Sequence, residues 1–529
     1  MKLTDILSDN FNAAEWEAKG YELPKYDIAA VARKTHDAPV WLHFGAGNIF
    51  RAFPAAILND ALNSGQYDKG VIVAESFDYE IIDKAYRPYN NLALLVSLQS
   101  SGTIEKKVIA SVTESLKADF QFAEDWARLV EVFKAPSLQM ITFTITEKGY
   151  SVAPADLERG LTPVLAMGKV CALLFERYKA GKYPLTVQST DNCSHNGDKV
   201  KAGILAYAQK WVADGLVPQD FLAYLNDETK VTYPWSMIDK ITPRPHEKVQ
   251  QMLAEDGFED NHTIITDKKT FTAPFVNAEE VQYLVVEDKY TNGRPPLELG
   301  GALYTARDIV DQVETMKVTT CLNPLHTAMS IYGCMLGYTL ISAEMADEDL
   351  RAFIQKIGYI EAMPVVTDPG ILNPYEFIGT VINRRLPNPF MPDAPQRIAT
   401  DTSQKLAIRF GETLKKYVAR GLDKDNLVLI PLTLAGYARY LKGLDDNCQP
   451  FEPSTDPLLA ELMAIVAPLE VGKPEQDYSC LKALYSRKDV FGLDLYEAGL
   501  GEKIEGMVKE LYAGPGAVRA TLHKYVSAR

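Results

Sequence analysis

Glycines after an apolar run, acids at the end of the next, and an asparagine and a histidine behind a lysine could all do chemistry in this chain. Gly45-Ala46-Gly47-Asn48-Ile49-Phe50-Arg51 follows one apolar run and opens a helical pattern. Glycines in that position allow a tight turn and close backbone approach, and a helix start offers N–H groups to a pyrophosphate. Phe50 stands where the third glycine of the usual fingerprint would be, so a plain strand-to-helix turn competes with nucleotide binding. Glu75 and Asp78, at the end of the next run, would then hold the ribose hydroxyls of the cofactor. Their charge disfavours a 2′-phosphate, which argues for NAD over NADP. A surface acid with no ligand is the bland alternative.

The stretch Thr190-Asp191-Asn192-Cys193-Ser194-His195-Asn196-Gly197 follows another apolar run. Ligands of open parallel sheets bind beyond the carboxyl ends of strands, so Asn192 is placed to donate its amide to a substrate oxygen. Asp191, Cys193 and His195 could suggest a metal, but they lack the paired spacing of a zinc site, and none is expected.

Lys317, Asn323 and His326 form the third cluster. Asn323-Pro324 reads as a helix cap followed by proline at the first helical position. His326 then lies one turn in, about 60° around the helix from Asn323. An asparagine and a histidine at the start of an apolar segment are costly to bury without partners. Lys317 suits a general acid/base. On one unbroken helix it would face about 180° from His326, so the helix must break at Asn323-Pro324 for the two to converge.

These clusters need elements to position them. Residues 39–44, 71–77, 138–150 and 183–194 read as β-rich runs, and 196–215 has helical spacing. Strands separated by helical stretches imply a mostly parallel sheet covered on both faces. Beyond a turn-rich stretch at 290–301 the pattern becomes a succession of long helices. The expected architecture is an α/β N-terminal domain with a mostly parallel sheet over 1–290, followed by an all-α C-terminal domain over 291–529. Residues 318–341 contain no Asp, Glu, Lys or Arg and are long enough to span a bilayer. Asn323, Pro324 and His326 within them favour a buried core helix.

Composition narrows the function classes. The 529 residues are 47% hydrophobic and 24% charged, which excludes a disordered or low-complexity chain. With Lys+Arg at 55 against 70 Asp+Glu, the formal charge is −15 and no basic run stands out, so neither nucleic acid nor an anionic membrane is an expected partner. Six cysteines without a C-x-x-C pair suit a reducing compartment. No signal peptide is visible, so a cytoplasmic location is expected.

In this order the motifs resemble the mannitol dehydrogenase family of polyol-specific long-chain dehydrogenases. The glycine turn with Phe50-Arg51-Ala52, Thr146-Glu147-Lys148-Gly149-Tyr150, Asp191-Asn192 with Asn196-Gly197, and Ser236-Met237-Ile238-Asp239-Lys240-Ile241-Thr242-Pro243 carry the likeness. So do Gly293-Arg294-Pro295 and Met316-Lys317 with Leu322-Asn323-Pro324-Leu325-His326. Lys240 stands where the family has an arginine and loses the guanidinium fork. Residues 318–322 separate the lysine from the asparagine, one more than the family's four, and Pro324 replaces a small residue.

The resemblance implies a Rossmann-type domain followed by a helical one, and metal-independent, NAD-linked hydride transfer between a secondary alcohol and a ketone. Gly45, Gly47, Asn48, Ile49, Phe50, Arg51, Glu75 and Asp78 would contact the cofactor. Lys317 would be the acid/base, Asn192 and Asn323 would bind the reacting oxygen, and His326 would orient it or a neighbouring hydroxyl. GNIFRAF and TEKGY look closest to the hexuronate branch, implying a D-fructuronate/D-mannonate pair, with tagaturonate–altronate and mannitol–fructose as alternatives. A sugar acid needs a cation for its carboxylate, and Arg385 is the first candidate. Lys148 and Asp239 are further substrate candidates. From another class, a non-catalytic dinucleotide-binding protein or a metal-dependent hydrolase on Asp191, Cys193 and His195 would be the alternatives. A monomer is expected.

Overall fold

The computed structural model describes residues 1–473 and 475–528. The chain forms two compact units, 1–99 with 103–311, and 100–102 with 312–529.

In the first unit the strands Val112–Lys117, Val71–Glu75, Trp41–Phe44, Met140–Phe143, Leu185–Ser189 and Val231–Thr232 form one sheet in that order. Every neighbouring pair in it is parallel. The central strands are buried along their whole length, which is why they read as unbroken apolar runs instead of alternating ones. From Trp41–Phe44 the chain winds outward through Val71–Glu75, then returns to Met140–Phe143 on the other side. The strand order therefore reverses beyond Phe44 and Phe143, and ligands of open parallel sheets bind at such a switch point.

Three smaller sheets flank this one. Ala93–Leu98 pairs antiparallel with Ile104–Ile109 and parallel with Phe275–Glu279. Tyr283–Glu287 pairs antiparallel with Ser236–Asp239 and parallel with Leu303–Thr305. Ile264–Ile265 and Phe271–Thr272 make a short hairpin. The 138–150 run holds a strand only to Phe143, and Glu147–Tyr150 is a tight 3₁₀ turn.

The units divide after Asp311, later than the expected boundary at 290. Two contacts hold the intervening segment to the first unit. Leu303–Thr305 adds a strand to its sheet, and Leu297–Gly300 packs so closely on Pro54–Asn63 that a Cβ at Gly300 would lie 2.0 Å from the Ile57 carbonyl oxygen.

Among its described residues the second unit has helices and no strand. Its centre is made of Asn323–Met335 and Leu429–Tyr440, the latter buried at every residue. The uncharged stretch is thus core as far as Met335, with Gly337, Thr339 and Leu340 exposed, and no helix among the described residues is long and apolar enough to cross a membrane.

Candidate active site

At the switch point Gly45 adopts φ +104, and a Cβ there would come within 2.2 Å of the Thr144 carbonyl oxygen. Only glycine fits this crossing of two strand ends. Gly47, Asn48 and Ile49 are partly exposed at the helix start that follows. This cradle fits a dinucleotide: a glycine-tight turn and a helix start at the carboxyl end of the first core strand.

Not every residue expected at the cofactor faces it. Phe50 is buried and stacks on His43 at 4.1 Å between ring centres. Arg51 is buried, donating to the Ala273 carbonyl at 2.6 Å, to the Thr272 hydroxyl at 2.6 Å and to the Asn48 side-chain oxygen at 2.8 Å. These two are corrected from cofactor contacts to internal braces of the turn. Glu75 also differs from expectation. Its carboxylate accepts the N–H groups of Ala46 and Phe77, both at 2.8 Å, and that of Asp78 at 3.2 Å. It is a fixed internal cap, and burial outweighs those bonds to raise its pKa. Asp78 is buried too, and accepts the Thr266 and Thr270 hydroxyls at 2.6 Å each. Both acids lie beneath the turn, while Phe77 between them is 66% exposed.

The neighbouring strand ends carry the next two motifs. Asp191 accepts the N–H groups of Ile145 at 3.0 Å and Thr146 at 2.9 Å and the Tyr150 hydroxyl at 2.5 Å, tying its loop to the Glu147–Tyr150 turn. Its carboxyl pKa is raised, chiefly by burial. Thr146 is thereby held at φ +63 and ψ 163, a region that side chains other than glycine rarely enter. Asn196 clamps the same loop to the next sheet, donating to the Ser236 carbonyl at 3.0 Å and accepting the Ser236 N–H at 3.0 Å. Gly197 cannot carry a Cβ, which would meet the Tyr233 carbonyl oxygen at 2.5 Å. The loop so fixed leaves Asn192 exposed, as is Lys148 on the adjacent turn, while Asp239 is buried at the end of Ser236–Asp239.

Two of the three residues that could suggest a metal are engaged elsewhere. Asp191 is engaged as above, while His195 stacks on Trp235 and pairs with Asp311 at 3.1 Å. Among the described residues no group of three or more His, Cys, Asp or Glu side chains could hold a metal ion.

In the second unit the helix does break where convergence demands. Arg307–Met316 passes into a π-helical turn, Lys317–Cys321, and Leu322 at φ −133 interrupts the helix before Asn323–Met335 begins. The break comes one residue earlier than expected, and the Asn323 side chain caps nothing. A π turn takes up one more residue than an α turn. The segment between Lys317 and Asn323 contains that turn, and Lys317 is buried at its head.

His326 lies one turn into the second segment, its Nε2 shut off from solvent with no hydrogen-bond partner and 4.0 Å from Asp393 Oδ2. Burial pushes its imidazole down to about 4; Asp393 opposes this, and the charges of Arg409, Arg397 and Arg385 add to it. The ring is therefore neutral at physiological pH. Arg385 is buried at the end of another π turn, Val381–Arg385, and Arg409 lies within a third, Ala407–Gly411. Arg409 escaped the sequence reading. The available signal was a charge on the apolar stripe of its helix, beside the buried Leu406, Phe410, Thr413 and Tyr417.

Residues 40–299 match the model of the mannitol dehydrogenase Rossmann domain, and 309–512 that of the mannitol dehydrogenase C-terminal domain. The chain is 48% identical over 527 residues to D-mannonate oxidoreductase of Thermotoga maritima, spanning 97% of both proteins. It is 27% identical to polyol:NADP oxidoreductase of Gluconobacter oxydans, over 83% of this chain and 86% of that one. Two solved structures share the fold. One is a D-sorbitol dehydrogenase in substrate-free form, with TM-score 0.78, 24% identity and coverage of 95% of this chain and 97% of that one. The other is Pseudomonas fluorescens mannitol 2-dehydrogenase in a ternary complex with NAD and D-mannitol, with TM-score 0.68, 23% identity and full coverage of both chains. On these motifs, this fold and these matches, the chain belongs to the mannitol dehydrogenase family.

Proposed function

We propose that this chain is an NAD-dependent secondary-alcohol dehydrogenase that interconverts D-mannonate and D-fructuronate. The observation that carries the substrate is the 48% identity, over nearly the whole of both chains, to a D-mannonate oxidoreductase. The cationic surroundings of His326 agree with an acidic substrate. The turn beyond Gly45 would hold the dinucleotide. When bound, the nicotinamide takes or supplies the hydride.

The chain's own residues do the rest. Lys317 removes the proton from the substrate hydroxyl during oxidation and returns it during reduction. Charge builds on that oxygen in the transition state, and the amide groups of Asn192 and Asn323 stabilise it there. The neutral His326 fixes the reacting oxygen or its neighbouring hydroxyl through Nε2. Arg385 pairs with the carboxylate, and Lys148 and Asp239 are the further substrate contacts. The same proposal takes the protein as a cytoplasmic monomer acting on a small molecule, without nucleic-acid or membrane partners.

Lys317→Ala tests the acid/base role. Turnover with NAD and D-mannonate should fall about 10²- to 10⁴-fold, while NADH binding measured by fluorescence stays at the wild-type value. Wild-type turnover in this variant would remove Lys317 from the chemistry.

A further inference from the structure

Arg409 is a partly buried guanidinium that makes no ion pair among the described residues. Its one hydrogen bond runs from Nη1 to the Thr327 hydroxyl. Burial alone brings its pKa down to about 10. Thr327 follows His326 directly, is itself buried, and donates to the Asn323 carbonyl at 3.0 Å. Arg409 is thus tied, through one hydroxyl, to the backbone of the segment that carries Asn323 and His326. Nearby cations are otherwise engaged: Arg397 pairs with Asp393, and Lys405 donates to the carbonyls of Ile398 and Thr400.

A guanidinium partly removed from water without a counter-charge is costly, and this one acts on the neutral His326 imidazole, whose Nε2 lacks a hydrogen-bond partner. A planar cationic fork without a counter-charge, near an imidazole nitrogen without a hydrogen-bond partner, suits a ligand with a carboxylate and an adjacent hydroxyl. We propose that Arg409, steered by Thr327, recognises the carboxylate of the sugar-acid substrate, beside Arg385, and sets the preference for an acid over a neutral polyol. This rests on the sugar-acid reading above and adds to it the residue that discriminates.

The test compares D-mannonate with its neutral amide, D-mannonamide, as substrates of wild type, Arg409→Met and Arg409→Lys. Each variant is checked for a cooperative melt and for NADH affinity. Wild type should favour the acid in kcat/KM by about 100-fold or more, and Arg409→Met should reduce that ratio to about 10-fold or less. Arg409→Lys, which keeps the charge but loses the fork, should fall between them, and NADH affinity should not change. If Arg409→Met does not fold, Arg409→Lys carries the test alone. A wild-type acid-to-amide ratio in the folded variants would overturn the proposal. So would a loss of NADH affinity with that ratio intact, which would assign Arg409 to a cofactor phosphate. Failure of wild type to oxidise D-mannonate at all would overturn the sugar-acid reading, and this assignment with it.

Discussion

Glu344 lies in the core of the second unit with neither carboxyl oxygen hydrogen-bonded, so close to Gly333 that a Cβ there would meet its Oε1. An unfolded glutamate ionises at about 4.3. In the folded protein burial, with the Asp347 charge nearby, pushes Glu344 up to about 9. Stability tied to the neutral carboxyl is whole below the lower value and is lost as pH rises through the upper one. Glu344→Gln should therefore gain on wild type in melting temperature, slightly at about pH 5 and most at about pH 9. Parallel melting profiles across that range would show that Glu344 ionises normally. At this scale the sequence conveys residue types better than their duties. Lys317, Asn323 and His326 stand out as candidates because an amide and an imidazole at an apolar helix start need a reason to be there. Arg51, Phe50 and Glu75 were misread because their partners, Ala273, His43 and the Ala46 N–H, meet them only in the fold.

The elements explain how so many charged side chains sit inside the helical unit. Lys317, Arg385 and Arg409 each lie on a π turn, and so does Glu361, in Ile357–Ala362. Such turns open the backbone ladder and are frequent at functional sites. Glu361 accepts the N–H groups of Val428 at 2.9 Å, Leu429 at 2.7 Å and Ile430 at 2.8 Å, which caps the start of the central helix Leu429–Tyr440. Glu361→Ala would leave those donors buried and unpaired. Urea unfolding should show a loss of about 3–5 kcal/mol, and a loss below about 1 kcal/mol would show that the cap is dispensable. The core strands were readable because burial on both faces demands unbroken apolar runs. The π turns were not, because a one-residue excess leaves the helical pattern on either side intact. The flanking strands Ala93–Leu98 and Ile104–Ile109 went unread because their pairing is set by contacts with distant Phe275–Glu279 and with each other.

At the scale of the whole molecule, an acidic substrate must be bound by a chain of net charge −15. The average field repels it, so affinity must come from a few placed cations. On the proposal made above, the buried Arg385 and the partly buried Arg409 would supply them. The change from sheet to helix was legible in composition, but its position was not. Residues 290–301 look like a turn-rich boundary, yet 297–305 are held to the first unit by a close glycine contact and a strand. The most direct test of the whole assignment is absorbance at the nicotinamide band after mixing the protein with NAD and, in turn, D-mannonate, D-altronate and D-mannitol. Rapid reduction of NAD with D-mannonate, and little with the other two, is the expected result. Reduction with D-mannitol alone would contradict the sugar-acid assignment, and no reduction with any of the three, while NADH still binds, would contradict the dehydrogenase itself.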